Sequence, residues 1–250
     1  MDDEKKTETT KRDGGSQDRA TVRSVERAFD LLGCFSAEQK TITLTEAARA
    51  VDLPLSTVSR LLGTLEASRF IRRLADGRYM PGGRLLRIGV VALHGVELYD
   101  VAEEYLERLA SVTGESANLA IPTNDGQALY LRQVASRHSV RHDNWIGRSV
   151  PLDGTAIGDA IAGRVNADGF SLRTTTLEPD VTAVAAPVYG ADAQIIAALS
   201  VTSPSYRVDE TFIARTGDRL VAEAQDLSSH LGAPAWAGKN PSETRQRGLK

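Results

Sequence analysis

The sequence predicts an α+β chain of two domains, an N-terminal winged helix-turn-helix and a C-terminal α/β domain joined by a linker helix. Three observations carry that prediction. Two short amphipathic helical patterns are joined by VDLP (51–54) and followed by a hairpin pattern around Asp76-Gly77. In the second half, strand-like runs broken by turns surround one short helix and end in a long one. Charge is also uneven: residues 20–90 hold 11 Lys and Arg against 7 Asp and Glu, whereas residues 91–231 hold 10 against 19. A basic front joined to an acidic rear implies that only the front approaches phosphate.

Composition sets the outer bounds. With 250 residues, 41% of them apolar, there is chain enough for two cores. Cys34 is the only cysteine, which excludes an intramolecular disulfide and a multi-cysteine zinc site and fits a reducing cytoplasm. No run of about 18 or more uncharged apolar residues occurs, so no membrane partner is expected and the protein should be soluble.

Residues 1–19 are polar, carry mixed charge and include Gly-Gly-Ser, and they read as a disordered tail. The winged domain is assigned to residues 20–82. Val22, Val25, Phe29 and Leu32 recur at helical spacing and define a first helix ending near Phe35. Thr43 and Glu46 form a capping-box pattern that opens a second helix running to about Val51. After VDLP, Pro54 suits the first turn of a third helix. Its buried stripe is Val58, Leu61, Leu62 and Leu65, which leaves Ser56, Thr57, Ser59, Arg60 and Thr64 facing outward. FIRRLADGRYM supplies two extended stretches around Asp76-Gly77, a tight-hairpin signal, and so the wing.

Residues 83–97 form the linker. Its run LLRIGVVAL is more apolar than one helix face requires, which points to packing against a second subunit. The second domain is assigned to 98–232, beginning with a helical stripe from Leu98 through Val112 that stops at Gly114. Strands follow at SANLAIP, QALYLRQV and from Trp145 to Leu152, then the helix GTAIGDAIAG, then GFSLRTTTL, VTAVAAPVY and IIAALSVTS. An amphipathic helix from Asp209 to Leu231 closes the domain, and residues 233–250 read as a second disordered tail.

Two helices joined by a tight turn, with a Ser/Thr/Arg outer face and a basic hairpin behind, form a groove-reading arrangement. Ser and Thr bond to phosphate or base edges, and Arg60 reaches phosphate or makes a bidentate contact to guanine. Arg72, Arg73 and Arg78 on the wing are placed for backbone or minor groove, with Arg23 and Arg69 extending the contact. A three-helix module that binds protein is the competing reading. Against it, no Asp or Glu lies between Pro54 and Leu65.

The sequence carries no enzyme signature. His138 and His142 have the spacing of a helical metal pair, but SRHSVRHDNW reads as extended and offers no third ligand, so no metal is expected. No G-x-S-x-G elbow, P-loop, dinucleotide fingerprint or H-E-x-x-H occurs. Glu103 and Glu104 are adjacent on a helix and diverge, so they cannot act as a carboxylate pair.

The runs VRSVERAFDLL, ITLTEAARAVDLPLSTVSRLLGTLE and DGRYMPGGRLLRIG resemble the N-terminal domain of the IclR family of bacterial transcription regulators. TGESANLAI, VPLDGTAIGDAI, VTAVAAPVY and AALSVTSPSYR resemble that family's effector-binding domain, in the same order, so the likeness covers about residues 20–232. It implies a GAF-like effector domain, a homodimer or dimer of dimers, and no cofactor. The implied partners are double-stranded operator DNA and a small organic acid, aromatic or aliphatic, that relieves repression of a catabolic operon. A sensor or enzyme carrying a protein-binding module is the alternative. By motif, Ala156, Ile157, Ala183, Ser200 and Thr202 fall at pocket-lining positions. Independently, the start of the GTAIGDAIAG helix offers free amides to a carboxylate, with Gly154 and Thr155 permitting close approach. Ser200 and Thr202 share one strand face and read equally well as buried hydroxyls, while Trp145 is a stacking candidate or a core residue. Two departures stand out: Leu55 replaces a basic residue common just before the Ser-Thr pair, and the stretch between Ala162 and Gly169 is a few dozen residues shorter than usual.

Overall fold

The computed structural model describes residues 22–36, 39–94, 97–141 and 143–235. The tail at 1–19, most of the tail at 233–250, and His142 of the histidine pair lie outside the described residues.

The N-terminal unit contains helices α1 (Arg23–Gly33), α2 (Leu44–Ala50) and α3 (Leu55–Ala67) and the hairpin β1 (Ile71–Arg73) and β2 (Tyr79–Pro81). Leu31, Ile42, Ala47, Val58, Leu62 and Ile71 are its fully buried centre. The capping box forms as the sequence predicts: Thr43 N donates to Glu46 Oε2 at 2.7 Å and Glu46 N to Thr43 Oγ1 at 3.2 Å. Pro54 stands one position earlier than expected, as the cap, and Leu55 is the first helical residue of α3.

Two further expectations are corrected. In α1 the stripe Val22, Val25 and Phe29 is exposed, while Ala28, Leu31 and Leu32 pack on the core. This helix is apolar on two sides, and of the expected stripe Leu32 is the member that meets the core. In the wing, Gly77 N donates to Leu74 O at 3.0 Å and Leu74 N to Arg78 O at 2.7 Å. Within this loop only Gly77 has a positive φ, +84°. The hairpin therefore turns through a three-residue loop, Ala75, Asp76 and Gly77, with glycine in the left-handed position, in place of a two-residue Asp-Gly loop, whose central residues would both need positive φ. Ile42 and Tyr79 exchange both backbone hydrogen bonds, at 2.9 and 2.7 Å, and so tie the wing to the approach to α2.

Helix α4 (Gly83–His94) leads to α5 (Glu97–Thr113). Leu86, Ile88, Val90 and Val91 on α4 are exposed among the described residues.

The C-terminal unit is built on β3 (Ser116–Pro122), β4 (Gln127–Val134), β5 (Ser149–Pro151), β6 (Ser171–Thr174), β7 (Val181–Tyr189) and β8 (Ile195–Pro204), with α6 (Ala156–Ile161) and α7 (Glu210–His230). The strands form one antiparallel sheet in the order β5-β4-β3-β8-β7-β6. Strand alternation divides their side chains between two layers. Leu119, Val184, Ala186, Val188, Leu199 and Val201 pack with Leu106 and Leu109 of α5 and Leu220 and Leu227 of α7. Ala120, Tyr130, Ala185 and Ala198 face the other way, toward Ala156, Ile157 and Ala160 of α6. Helix α6 can sit this low because position 158 is glycine: a Cβ there would lie 2.1 Å from the Leu152 carbonyl oxygen.

Candidate nucleic-acid interface and ligand cavity

On α3 the residues Ser56, Ser59, Arg60 and Thr64 are exposed and Thr57 is half-buried, so the expected outer face is present as a surface. Leu55 opens that face, 51% exposed. Thr64 Oγ1 donates to Arg60 O at 3.1 Å, which leaves this hydroxyl as an acceptor. Arg72 and Arg73 are exposed on consecutive strand positions and so address opposite sides of the wing, with Arg73 over the Tyr79 ring at 5.6 Å. Arg23 is exposed at the start of α1.

Arg78 departs from the expectation. Its Nε donates to Thr41 Oγ1 and its terminal nitrogen to Thr41 O, both at 2.8 Å, and it lies 3.6 Å from Glu46. The guanidinium is engaged inside the domain, bracing the wing against the capped start of α2. Hydrogen bonds from Thr43, helped by Arg78, hold the Glu46 carboxyl below the usual carboxylate range. Sequence reasoning also passed over Arg84 and Arg87, which share a cleft with Arg69 where α4 begins. Their spacing of three on one helix face was the available signal.

The second site is a cavity between α6 and the sheet. Tyr130, Trp145, Thr155, Ala156, Ile157, Ala183, Ser200 and Thr202 line it, together with Arg173, Thr176, Leu177, Glu178 and Val181. It is narrow, with about 30 Å³ of water-accessible space. Every sequence-expected residue except Gly154 is therefore brought together. Gly154 instead makes the turn ahead of the helix at φ +78°. At the helix start one amide is already capped. Helix α6 spans six residues, and Thr155 Oγ1 already accepts from Gly158 N at 3.0 Å while donating to Pro151 O at 2.9 Å.

Register explains the floor. Across the sheet Arg173 stands opposite Ala183 and Ala183 opposite Thr202, while the next row runs Ser171, Ala185, Ser200, Asn118. Residues directly opposite one another share a face, so the small alanines leave a hollow floored by hydroxyls. Ser200 is 1% exposed, and neither its Oγ nor the neighbouring Asn118 Oδ1 has a hydrogen-bond partner among the described residues. Trp145 is both core and wall, edge-on to Tyr130 at 5.0 Å between ring centres. Burial raises the Tyr130 phenol pKa well above its ordinary value, so that hydroxyl stays protonated.

The cavity rim carries charge that the sequence reading did not anticipate. Arg173 Nε donates to Asp159 Oδ2 at 2.7 Å, and Arg164 Nε donates to Asp159 Oδ1 at 2.9 Å. Burial of Asp159 pushes its carboxyl up, but the bonds from Arg173 and Arg164 outweigh that and hold it below the usual range.

The profile of the IclR helix-turn-helix domain matches residues 24–75, and that of the C-terminal domain of IclR bacterial transcriptional regulators matches residues 90–163 and 162–229. The chain belongs to the IclR family of bacterial transcriptional regulators. Like its relatives it combines an N-terminal DNA-binding helix-turn-helix with a C-terminal α/β domain. The IclR C-terminal match falls in two pieces that meet at 162–163, where the chain passes from α6 toward β6. Over 250 aligned residues the chain is 25% identical to the regulator XynR of Escherichia coli K12, covering 86% of this chain and 99% of that one. It is 23% identical to the acetate operon repressor of Salmonella typhimurium LT2, over 84% of this chain and 90% of the other. An IclR homologue from Microbacterium hydrocarbonoxydans, solved with 4-hydroxybenzoate, shares the fold at a TM-score of 0.68 and 20% identity, covering 83% and 98% of the two chains.

Among the described residues no helix is long and apolar enough to cross a membrane, and no group of three or more His, Cys, Asp and Glu is placed to hold a metal.

Proposed function

We propose that this IclR-family chain is a ligand-responsive repressor of a catabolic operon, acting as a homodimer and released by a small organic acid, aromatic or aliphatic. The observation that carries the reading is the pairing of an acid-free, exposed Ser/Arg face on α3 with a cavity lined by a buried Ser200 hydroxyl that has no hydrogen-bond partner among the described residues. An unmade hydrogen bond in such a place is costly and is recovered by a polar ligand. The repressor relative and the 4-hydroxybenzoate complex support the sign of regulation and the ligand class.

Two copies of α3 would enter successive major grooves about 34 Å apart, and the operator would be palindromic. The exposed apolar faces of α1 and α4 are the surfaces on which a second copy would close. An effector changes DNA affinity only by binding the competent and incompetent dimer arrangements unequally, and α4 joins the two domains between which that difference must pass. The test is a gel shift on the DNA upstream of the chain's own gene, with and without candidate acids. A shift reversed by an acid supports the reading, and no shift at low salt refutes it.

A further inference from the structure

We propose that Arg173 selects the effector, its two terminal nitrogens gripping a carboxylate end-on while Asp159 holds it by Nε. The inference rests on reading the cavity between α6 and the sheet as the effector site.

Arg173 lies on the cavity face of edge strand β6, in the row that continues through Ala183 to Thr202. Its Nε is bound to Asp159 at 2.7 Å, and among the described residues its terminal nitrogens have no hydrogen-bond partner. A guanidinium is planar and carries five N–H donors, so one bond through Nε leaves the outer fork intact. That fork matches the two oxygens of a carboxylate, a fit that a lysine ammonium cannot reproduce. The side chain is 48% exposed, so the fork is reachable from the cavity mouth.

A chain of alternating charges fixes the fork. Asp159 is buried, and both its oxygens are taken, one by Arg173 and one by Arg164. Arg164 lies in the connection from α6 to β6 and also binds Leu152 O at 3.0 Å and Asp153 Oδ1 at 3.1 Å. The charges alternate in sign along Asp153, Arg164, Asp159 and Arg173. Because Asp159 already balances Arg173, the grip acts through directed hydrogen bonds more than through net charge, and it favours a planar bidentate anion. Asp159 is a positioning residue.

The other end of the cavity completes the ligand's description. Ser200 Oγ lines it there, buried and without a hydrogen-bond partner among the described residues. The walls between are Ile157, Tyr130 and Trp145, and the water-accessible space is about 30 Å³. The ligand is therefore a small monocarboxylate with a second hydrogen-bonding group, a hydroxyl or carbonyl, held away from the carboxylate.

The experiment uses the full chain and a panel of 4-hydroxybenzoate, benzoate, glycolate and lactate, each beside its neutral amide, with binding followed calorimetrically and by quenching of Trp145. At least one acid should bind about tenfold tighter than its amide, the worth of one charge-assisted hydrogen bond. Arg173→Gln should reduce that acid to the affinity of its amide and leave the amide unchanged. Arg173→Lys should not restore the preference. Asp159→Asn should weaken the acid and spare the amide, a split that a merely structural role would not produce. Absence of any acid-over-amide preference, lack of binding included, overturns the proposal, as does an acid whose affinity survives Arg173→Gln in a variant of normal circular dichroism. An acid that binds through Arg173 but leaves operator affinity unchanged would refute the effector reading alone.

Discussion

Arg60 and Arg78 are both arginines of the reading domain, yet their surroundings assign them opposite parts, and alanine at each should separate DNA affinity from stability. Arg78→Ala removes two charge-assisted hydrogen bonds to Thr41, each 2.8 Å. Such bonds are worth about 1.5–3 kcal/mol each when well buried, but this side chain is 35% exposed, so about 1–2 kcal/mol in total is expected. The loss should appear as a lower urea midpoint for the N-terminal domain. Circular dichroism or hydrogen exchange over residues 41–79 must report it, because neither tryptophan, Trp145 or Trp236, lies there. Arg60→Ala should leave stability within about 0.5 kcal/mol. Instead it should cost about 1–3 kcal/mol of specific binding if Arg60 reads a base, or lower the salt slope by about one if it holds phosphate. The assay is operator affinity from 50 to 200 mM salt, a span over which phosphate contacts are resolved. The reasoning is refuted if Arg78→Ala lowers the salt slope while the urea midpoint stays put, since the guanidinium would then be on the DNA.

Three other outcomes follow from particular contacts. Gly158→Ala places a Cβ 2.1 Å from the Leu152 carbonyl oxygen, and this overpacking should cost about 1–3 kcal/mol or more, read as a lower urea midpoint by Trp145 fluorescence. Leu86→Glu combined with Phe29→Glu puts charge on the two exposed apolar helix faces and should shift sedimentation from dimer toward monomer, with helix content unchanged. Asp159 has a depressed folded pKa, so its contribution to stability is fully present above the unfolded value near 3.9 and is lost as pH falls through the folded one. The stability gap between wild type and Asp159→Asn should hold from pH 7 to about 4 and close below that.

Much of the fold was legible because local chemistry and global packing agree. The capping box at Thr43 and Glu46, the stripe through Val58, Leu62 and Leu65, and the strands SANLAIP and QALYLRQV all form where spacing places them. The face of α1 was misread because both of its sides are apolar and only tertiary contact shows which one the core takes. Arg78 was misread because an arginine on a wing has the same sequence signature whether it faces phosphate or a threonine 37 positions away. In the cavity the apolar and hydroxyl residues were legible from strand alternation and motif likeness. Arg173 was not, since its role depends on Asp159, 14 residues distant, and on register across β6, β7 and β8. Gly154 looked like a ligand contact because a glycine before a helix signals close approach, whereas here it serves the turn.

The central claim, that the exposed face of α3 reads operator DNA, is tested most directly by anisotropy titration of the upstream fragment with wild type and with a Ser56→Ala, Ser59→Ala, Arg60→Ala triple variant. Wild type should bind the fragment far more tightly than scrambled DNA at physiological salt, and the triple variant, with unchanged circular dichroism, should bind both alike. Equal affinity of wild type for the two DNAs, or a folded triple variant that still prefers the operator, would contradict it.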